Sequence, residues 1–69
     1  MNKITLEING ETREIAAGAN ARELLKILGI TEERVALEIN RKIIRRAEWD
    51  STPIADGDRV EIVRFVGGG

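Results

Sequence analysis

The group with the most chemical potential in this chain is the carboxylate at Gly69, carried on the run Gly67-Gly68-Gly69. It follows a strand-like stretch, Arg59 to Val66, so a folded element gives way to a tail without side chains. Glycine has no Cβ, and such a tail threads a channel too narrow for any other residue. The carboxylate at its tip is then the one group offered to another protein's active site. That is the shape of a substrate protein or carrier. A second reading stands beside it, in which the glycines are a frayed end without a role.

Other residues offer less chemistry. The 69 residues include no His, Cys or Tyr, which removes the commonest general base and the best nucleophile at neutral pH. The chain therefore reads as no enzyme, with no catalytic residue and no metal site of its own. Asp56-Gly57-Asp58 lacks the further carboxylates and closing Glu of a calcium loop. It reads instead as a turn whose Asp side chains accept from backbone amides. Glu32-Glu33, adjacent in a turn, reads as a solvated acidic corner. Arg41, Lys42, Arg45 and Arg46 form the one local basic cluster. It is either a docking patch steering an acidic partner or a solvated hairpin.

Composition narrows the partners. Eleven basic residues against twelve acidic give a net charge of −1, without the electrostatic footprint of a nucleic-acid binder. Trp49 and Phe65 are the aromatic residues, so platforms for stacking bases are missing. No apolar run approaches membrane-spanning length and the amino terminus lacks a signal-peptide core, so the expected compartment is the cytoplasm. Without cysteine, stability must come from an aliphatic core, for which 42% hydrophobic residues suffice.

The elements that position the tail follow from pattern. Ile4, Leu6 and Ile8 alternate with polar residues as a half-buried strand. Asn9-Gly10 is a strong signal for a two-residue hairpin turn, and Thr12 to Ile15 is the return strand. Asn20 with Glu23 predicts a capping box. The helix it opens carries Ala21, Leu24, Leu25 and Leu28 on its buried stripe, with Arg22, Glu23 and Lys26 facing water. Gly29 ends it. A turn at Thr31–Arg34 precedes a strand with Val35, Leu37 and Ile39, then a tight turn at Asn40-Arg41 and a short strand at Lys42–Ile44. Arg45–Ser51 reads as a helical turn with Trp49 against the core edge, and Pro53 and Asp56-Gly57-Asp58 mark turns before the last strand. Leu6-Glu7-Ile8-Asn9 recurs as Leu37-Glu38-Ile39-Asn40, which strand-then-turn chemistry explains.

The helix must cover one face of the sheet, and the two aliphatic terminal strands suit its centre as parallel neighbours. The expected fold is α+β, a β-grasp (ubiquitin-like) roll with a mixed sheet and one main helix on one face. Residues 1–66 form the domain and 67–69 a flexible glycine tail. An unrelated small α+β sheet is the alternative. If Val60 and Ile62 face the helix, Val63 and Phe65 lie on the open side, just before Val66 and the tail. That makes them a protein-binding patch, unless a bulge near Arg64 returns Phe65 to the core.

Three stretches carry a family likeness. They are the hairpin and Asn20–Leu25 helix; Ile39-Asn40 to Ile43-Ile44 with Arg46, Glu48 and Trp49; and Ala55-Asp56-Gly57-Asp58-Arg59-Val60-Glu61-Ile62-Val63 closing in Val66-Gly67-Gly68-Gly69. From Ile4 through Gly69 the chain resembles the ThiS family, the sulfur-carrier proteins of thiamin (thiazole) biosynthesis. It departs at Arg41, where the family often has Gly, and at Arg45, where it often has Pro. The resemblance implies that an E1-like enzyme uses ATP to adenylate the Gly69 carboxylate. Sulfur from a cysteine-derived persulfide then leaves a thiocarboxylate, from which thiazole synthase draws. It also implies that no cofactor is bound by the chain itself and that the β-grasp body supplies the docking surface. Position before the tail makes Val63, Phe65 and Val66, with Arg41 and Arg45 at the rim, the expected partner-binding residues. A molybdopterin-type sulfur carrier, a ubiquitin-like protein modifier and a purely structural module with an inert tail are the alternatives.

Overall fold

The structure is a computed structural model describing residues 2–30 and 34–65. Five strands and one helix make it up: β1 (Lys3–Ile8), β2 (Glu11–Ala16), α1 (Ala21–Ile27), β3 (Val35–Ile39), β4 (Lys42–Ile44) and β5 (Arg59–Arg64), with a 3-10 turn at Arg46–Ser51. The sheet runs β2-β1-β5-β3-β4. The terminal strands β1 and β5 pair in parallel at its centre, Glu7 opposite Arg59 and Ile8 opposite Val60. The other pairings are antiparallel. This is the expected β-grasp.

Local chemistry sets the elements. Asn9 and Gly10 take φ of 49° and 84°, as a two-residue hairpin turn requires. Asn20 Oδ1 accepts from Glu23 N–H at 2.8 Å while Glu23 Oε1 accepts from Asn20 N–H at 2.9 Å, closing the capping box. Leu28 is the C-cap and Gly29 follows at φ 75°. The hydrophobic stripe buries Ala21, Leu24 and Leu25, whereas Leu28 only packs against the core margin. Ile54, in the loop before β5, is buried with them.

Arg22 departs from its expected place in water. Its Nε donates to Asp50 Oδ1 at 2.6 Å, and its guanidinium lies 5.5 Å from the Trp49 ring centroid. Helix and 3-10 turn are thereby joined, with Trp49 buried and its Nε1–H donating to Ile44 C=O at 3.0 Å. The guanidinium head itself lies over the ring and is shared with the Asp50 carboxylate, so it is partly withdrawn from water.

The Asn40-Arg41 turn explains one departure from the family pattern. Arg41 sits at φ 70°, where a Cβ is strained. Arg41→Gly is expected to raise unfolding stability by about 0.5–1 kcal/mol, the relieved strain less part of glycine's added entropy. Chemical denaturation followed by Trp49 fluorescence measures it, and an unchanged or lowered midpoint would show that the turn carries no strain.

Candidate docking face and tail

Both flanks of β5 fix the strand that leads to the tail. On one side Asn9 N–H donates to Val60 C=O at 2.9 Å, and on the other Phe65 N–H donates to Arg34 C=O at 3.0 Å. Val60 and Ile62 are buried under α1. Alternation then turns Val63 outward, 54% exposed, and Phe65 stands 59% exposed beyond the strand's end. No bulge returns Phe65 to the core.

The sheet register adds a residue that the pattern reading passed over. Glu38 of β3 lies opposite both Glu61 of β5 and Ile43 of β4, while Ala36 lies opposite Val63. Directly paired side chains share a face, so Ile43, Ala36 and Val63 all stand on the open side. Ile43 is 67% exposed, the most of any large hydrophobic residue among those described. Ile43-Ile44 carried the signal: neighbours in a strand point to opposite faces, so one of two adjacent isoleucines had to face outward. Ile44 turns in and packs against the core margin.

Charges frame this apolar surface. Arg41 and Arg45 are exposed at the two ends of β4, two residues either side of Ile43, while the exposed Lys42 pairs with Ile39 and leaves the strand on the opposite face. Arg46 is exposed as well and opens the 3-10 turn. Arg41 and Arg45 therefore border the apolar residues, with the Glu38–Glu61 pair lying between Ile43 and Val63.

The acidic turn has a structural task. Asp58 Oδ2 accepts from Ala55 N–H at 2.8 Å, as a local turn predicts. Asp56 Oδ1 reaches farther, accepting from Thr5 N–H of β1 at 2.7 Å, and Gly57 N–H donates to Thr5 C=O at 2.8 Å. The turn thus joins the start of β5 to β1. Among the described residues no group of three His, Cys, Asp or Glu is placed to hold a metal ion, and no helix is long and apolar enough to cross a membrane. Glu32-Glu33, Val66 and the tail residues Gly67, Gly68 and Gly69 lie outside the described residues, as does the boundary between domain and tail.

Two parallel terminal strands, a capped helix on one face and an open face with exposed Ile43, Val63 and Phe65 define the class, a small β-grasp protein. The chain belongs to the ThiS family, the sulfur carriers of thiamin biosynthesis, whose family model matches residues 6–69. It is 33% identical over 61 residues to the sulfur carrier protein ThiS of Escherichia coli, covering 88% of this chain and 92% of that protein. A crystal structure of the thiamine biosynthesis protein ThiS from Geobacter metallireducens superposes with a TM-score of 0.82 at 35% identity, over 96% of this chain and 100% of that one. A thiazole synthase of Paramagnetospirillum magneticum is 41% identical over 64 residues, 93% of this chain. The chain spans 20% of that synthase's length.

Proposed function

We propose that this chain is a cytoplasmic carrier that is acted upon and catalyses nothing itself, with the Gly69 carboxylate as its working group. A carboxylate is a poor electrophile. An E1-like adenylating enzyme joins it to the α-phosphate of ATP with loss of pyrophosphate, giving an acyl-adenylate with a good leaving group. A cysteine-derived persulfide attacks the acyl carbon and displaces AMP. Cleavage of the sulfur–sulfur bond by a thiol leaves the thiocarboxylate on Gly69, which supplies sulfur to thiazole synthase. The bare glycines Gly67 and Gly68 let one acyl group enter two different active sites.

The observation that carries this reading is the exposed apolar pair Val63 and Phe65 at the end of the strand that leads to the glycines, with Ile43 of β4 on the same open face. An enzyme that takes in the tail presses against this surface, with Val66 between patch and tail and with Arg41 and Arg45 at its rim. The likeness of this chain to one fifth of a protein named thiazole synthase supports a synthase as one partner. Covalent linkage raises the effective concentration of two modules, and a docking surface does the same for separate chains.

Phe65→Ser and Ile43→Ser test the surface. Burying either side chain in a partner contributes about 2 kcal/mol, so each variant should bind a thiazole synthase at least about tenfold more weakly by titration calorimetry. Unfolding stability should stay within about 0.5 kcal/mol, as expected for exposed positions. A large loss of stability without loss of binding would make these residues structural and sink the docking face.

A further inference from the structure

The two copies of Leu-Glu-Ile-Asn end against opposite edges of β5. Each closing asparagine has positive φ, 49° at Asn9 and 53° at Asn40, and each commits its side-chain amide to β5 or the turn before it. Asn40 Oδ1 accepts from Arg59 N–H at 3.0 Å, and its Nδ2 donates to Asp58 Oδ1 at 3.0 Å. Asn9 is a fuller clasp. Its Oδ1 accepts from Ile62 N–H at 2.8 Å and its Nδ2 donates to Ile62 C=O at 3.2 Å. β1 has by then entered the hairpin, so this side chain stands in for a peptide group and carries the pairing past Val60.

The residue after Asn9 is Gly10. In an asparagine–glycine pair the following backbone nitrogen meets no side chain on its way to the asparagine Cγ. Gly10 is exposed, and nothing lies within 4 Å of where a Cβ would stand. Asn40 is followed by Arg41, Asn20 by Ala21 and Asn2 by Lys3, each with a Cβ beside the nitrogen.

We propose that Asn9 is the deamidation site of this chain, and that its conversion unclasps the tail-proximal half of β5. The Gly10 nitrogen gives up its proton to solvent base and bonds to Asn9 Cγ. The Cγ–Nδ2 bond breaks, ammonia leaves, and a five-membered succinimide remains. One water molecule opens the ring. Cleavage of the bond from nitrogen to Cγ gives aspartate, and cleavage of the bond to the main-chain carbonyl gives isoaspartate. Neither route needs an oxidant or a reductant. The carboxylate so formed only accepts hydrogen bonds, so Ile62 C=O loses its donor and faces a negative oxygen. Isoaspartate also lengthens the backbone of a two-residue turn and shifts the β1–β2 register. β5 keeps β3 on its other side through Val35 opposite Arg64, so the change is local. In the folded protein the two bonds to Ile62 hold the amide, and reaction follows their opening.

The test ages the full chain at mildly alkaline pH, maps the deamidation mass gain by peptide, and follows amide exchange by NMR. The gain should appear at residue 9 ahead of residues 2, 20 and 40, and faster when urea unfolds the chain. In the aged protein and in Asn9→Asp, repulsion between the new carboxylate and Ile62 C=O should open the clasp as a unit. The Ile62 N–H then parts from its acceptor at residue 9 and should exchange about tenfold faster, the factor expected from losing a hydrogen bond of ordinary net strength. The Leu24 amide in α1 should be unaffected. Gly10→Ala, strained at φ 84°, keeps the Asn9 amide and sets a Cβ beside the attacking nitrogen. It should suppress the gain at residue 9 when compared in the urea-unfolded chain, where the strain plays no part. A gain spread evenly over the four asparagines, or led by Asn40, would overturn the site. Unchanged exchange at Ile62 in the deamidated chain would overturn the unclasping. No readout depends on sulfur chemistry, so this proposal and the carrier reading fail separately.

Discussion

Gly68→Val, or one residue added after Gly69, is expected to abolish ATP–pyrophosphate exchange by the proposed activating enzyme while the body unfolds as before. The two changes act differently. On the carrier reading the tail enters a narrow channel, which a branched side chain at 68 would block, because valine adds a Cβ and two methyls where glycine has none. An added residue leaves the channel open but moves the carboxylate one residue beyond the position it must reach, about 3.3–3.6 Å of extended chain. A misplacement of even 1 Å costs roughly a hundredfold in an oriented reaction, so loss should be near complete. Phe65, 59% exposed, is the last described residue before the tail, so neither change touches the described core. Normal exchange by both variants would place the reacting group elsewhere.

Leu25→Ala has the largest expected effect on the body. Leu25 is 3% exposed and belongs to the one hydrophobic cluster formed by α1, the sheet, Trp49 and Ile54. Truncation removes its transfer energy and leaves a cavity that the sheet fills only partly, costing about 2–5 kcal/mol. Domains of this class have only about 5–15 kcal/mol in total, and a small one sits toward the lower end. The variant is therefore expected to be partly unfolded at physiological temperature. Trp49, the single tryptophan, reports the transition. A loss below about 1 kcal/mol would mean that the site collapses without a cavity, or that α1 does not pack on the sheet as described.

Much of this architecture was legible because its causes are local. Asn9-Gly10, the Asn20–Glu23 capping box and Gly29 each fix backbone within a few residues, and each stands where the pattern placed it. The alternation of Val60, Ile62 and Val63 set the two faces of β5, and with them the outward Val63 and Phe65. What pattern could not supply depends on partners distant in sequence. Asp56 bonds to Thr5 and Asn9 to Ile62, contacts 51 and 53 residues apart that nothing near either residue announces. The repeated Leu-Glu-Ile-Asn looked like strand-then-turn chemistry. The turns are real, but each asparagine also braces the same central strand. Ile43 joined the open face only once the register paired it with Glu38. Arg22, expected in water, found an indole and a carboxylate on an element whose position relative to α1 no helical period specifies.

The carrier reading rests on one chemical event, the conversion of the Gly69 carboxylate to a thiocarboxylate. Intact-protein mass spectrometry measures it directly, after incubation with an E1-like adenylating enzyme, ATP, a persulfide donor and a thiol. The expected result is a mass gain equal to one oxygen replaced by one sulfur, mapped to the C-terminal peptide and absent without ATP. An unchanged mass under conditions that charge an established sulfur carrier would contradict it. So would a chain found joined through its terminus to a lysine, which would make the protein a modifier.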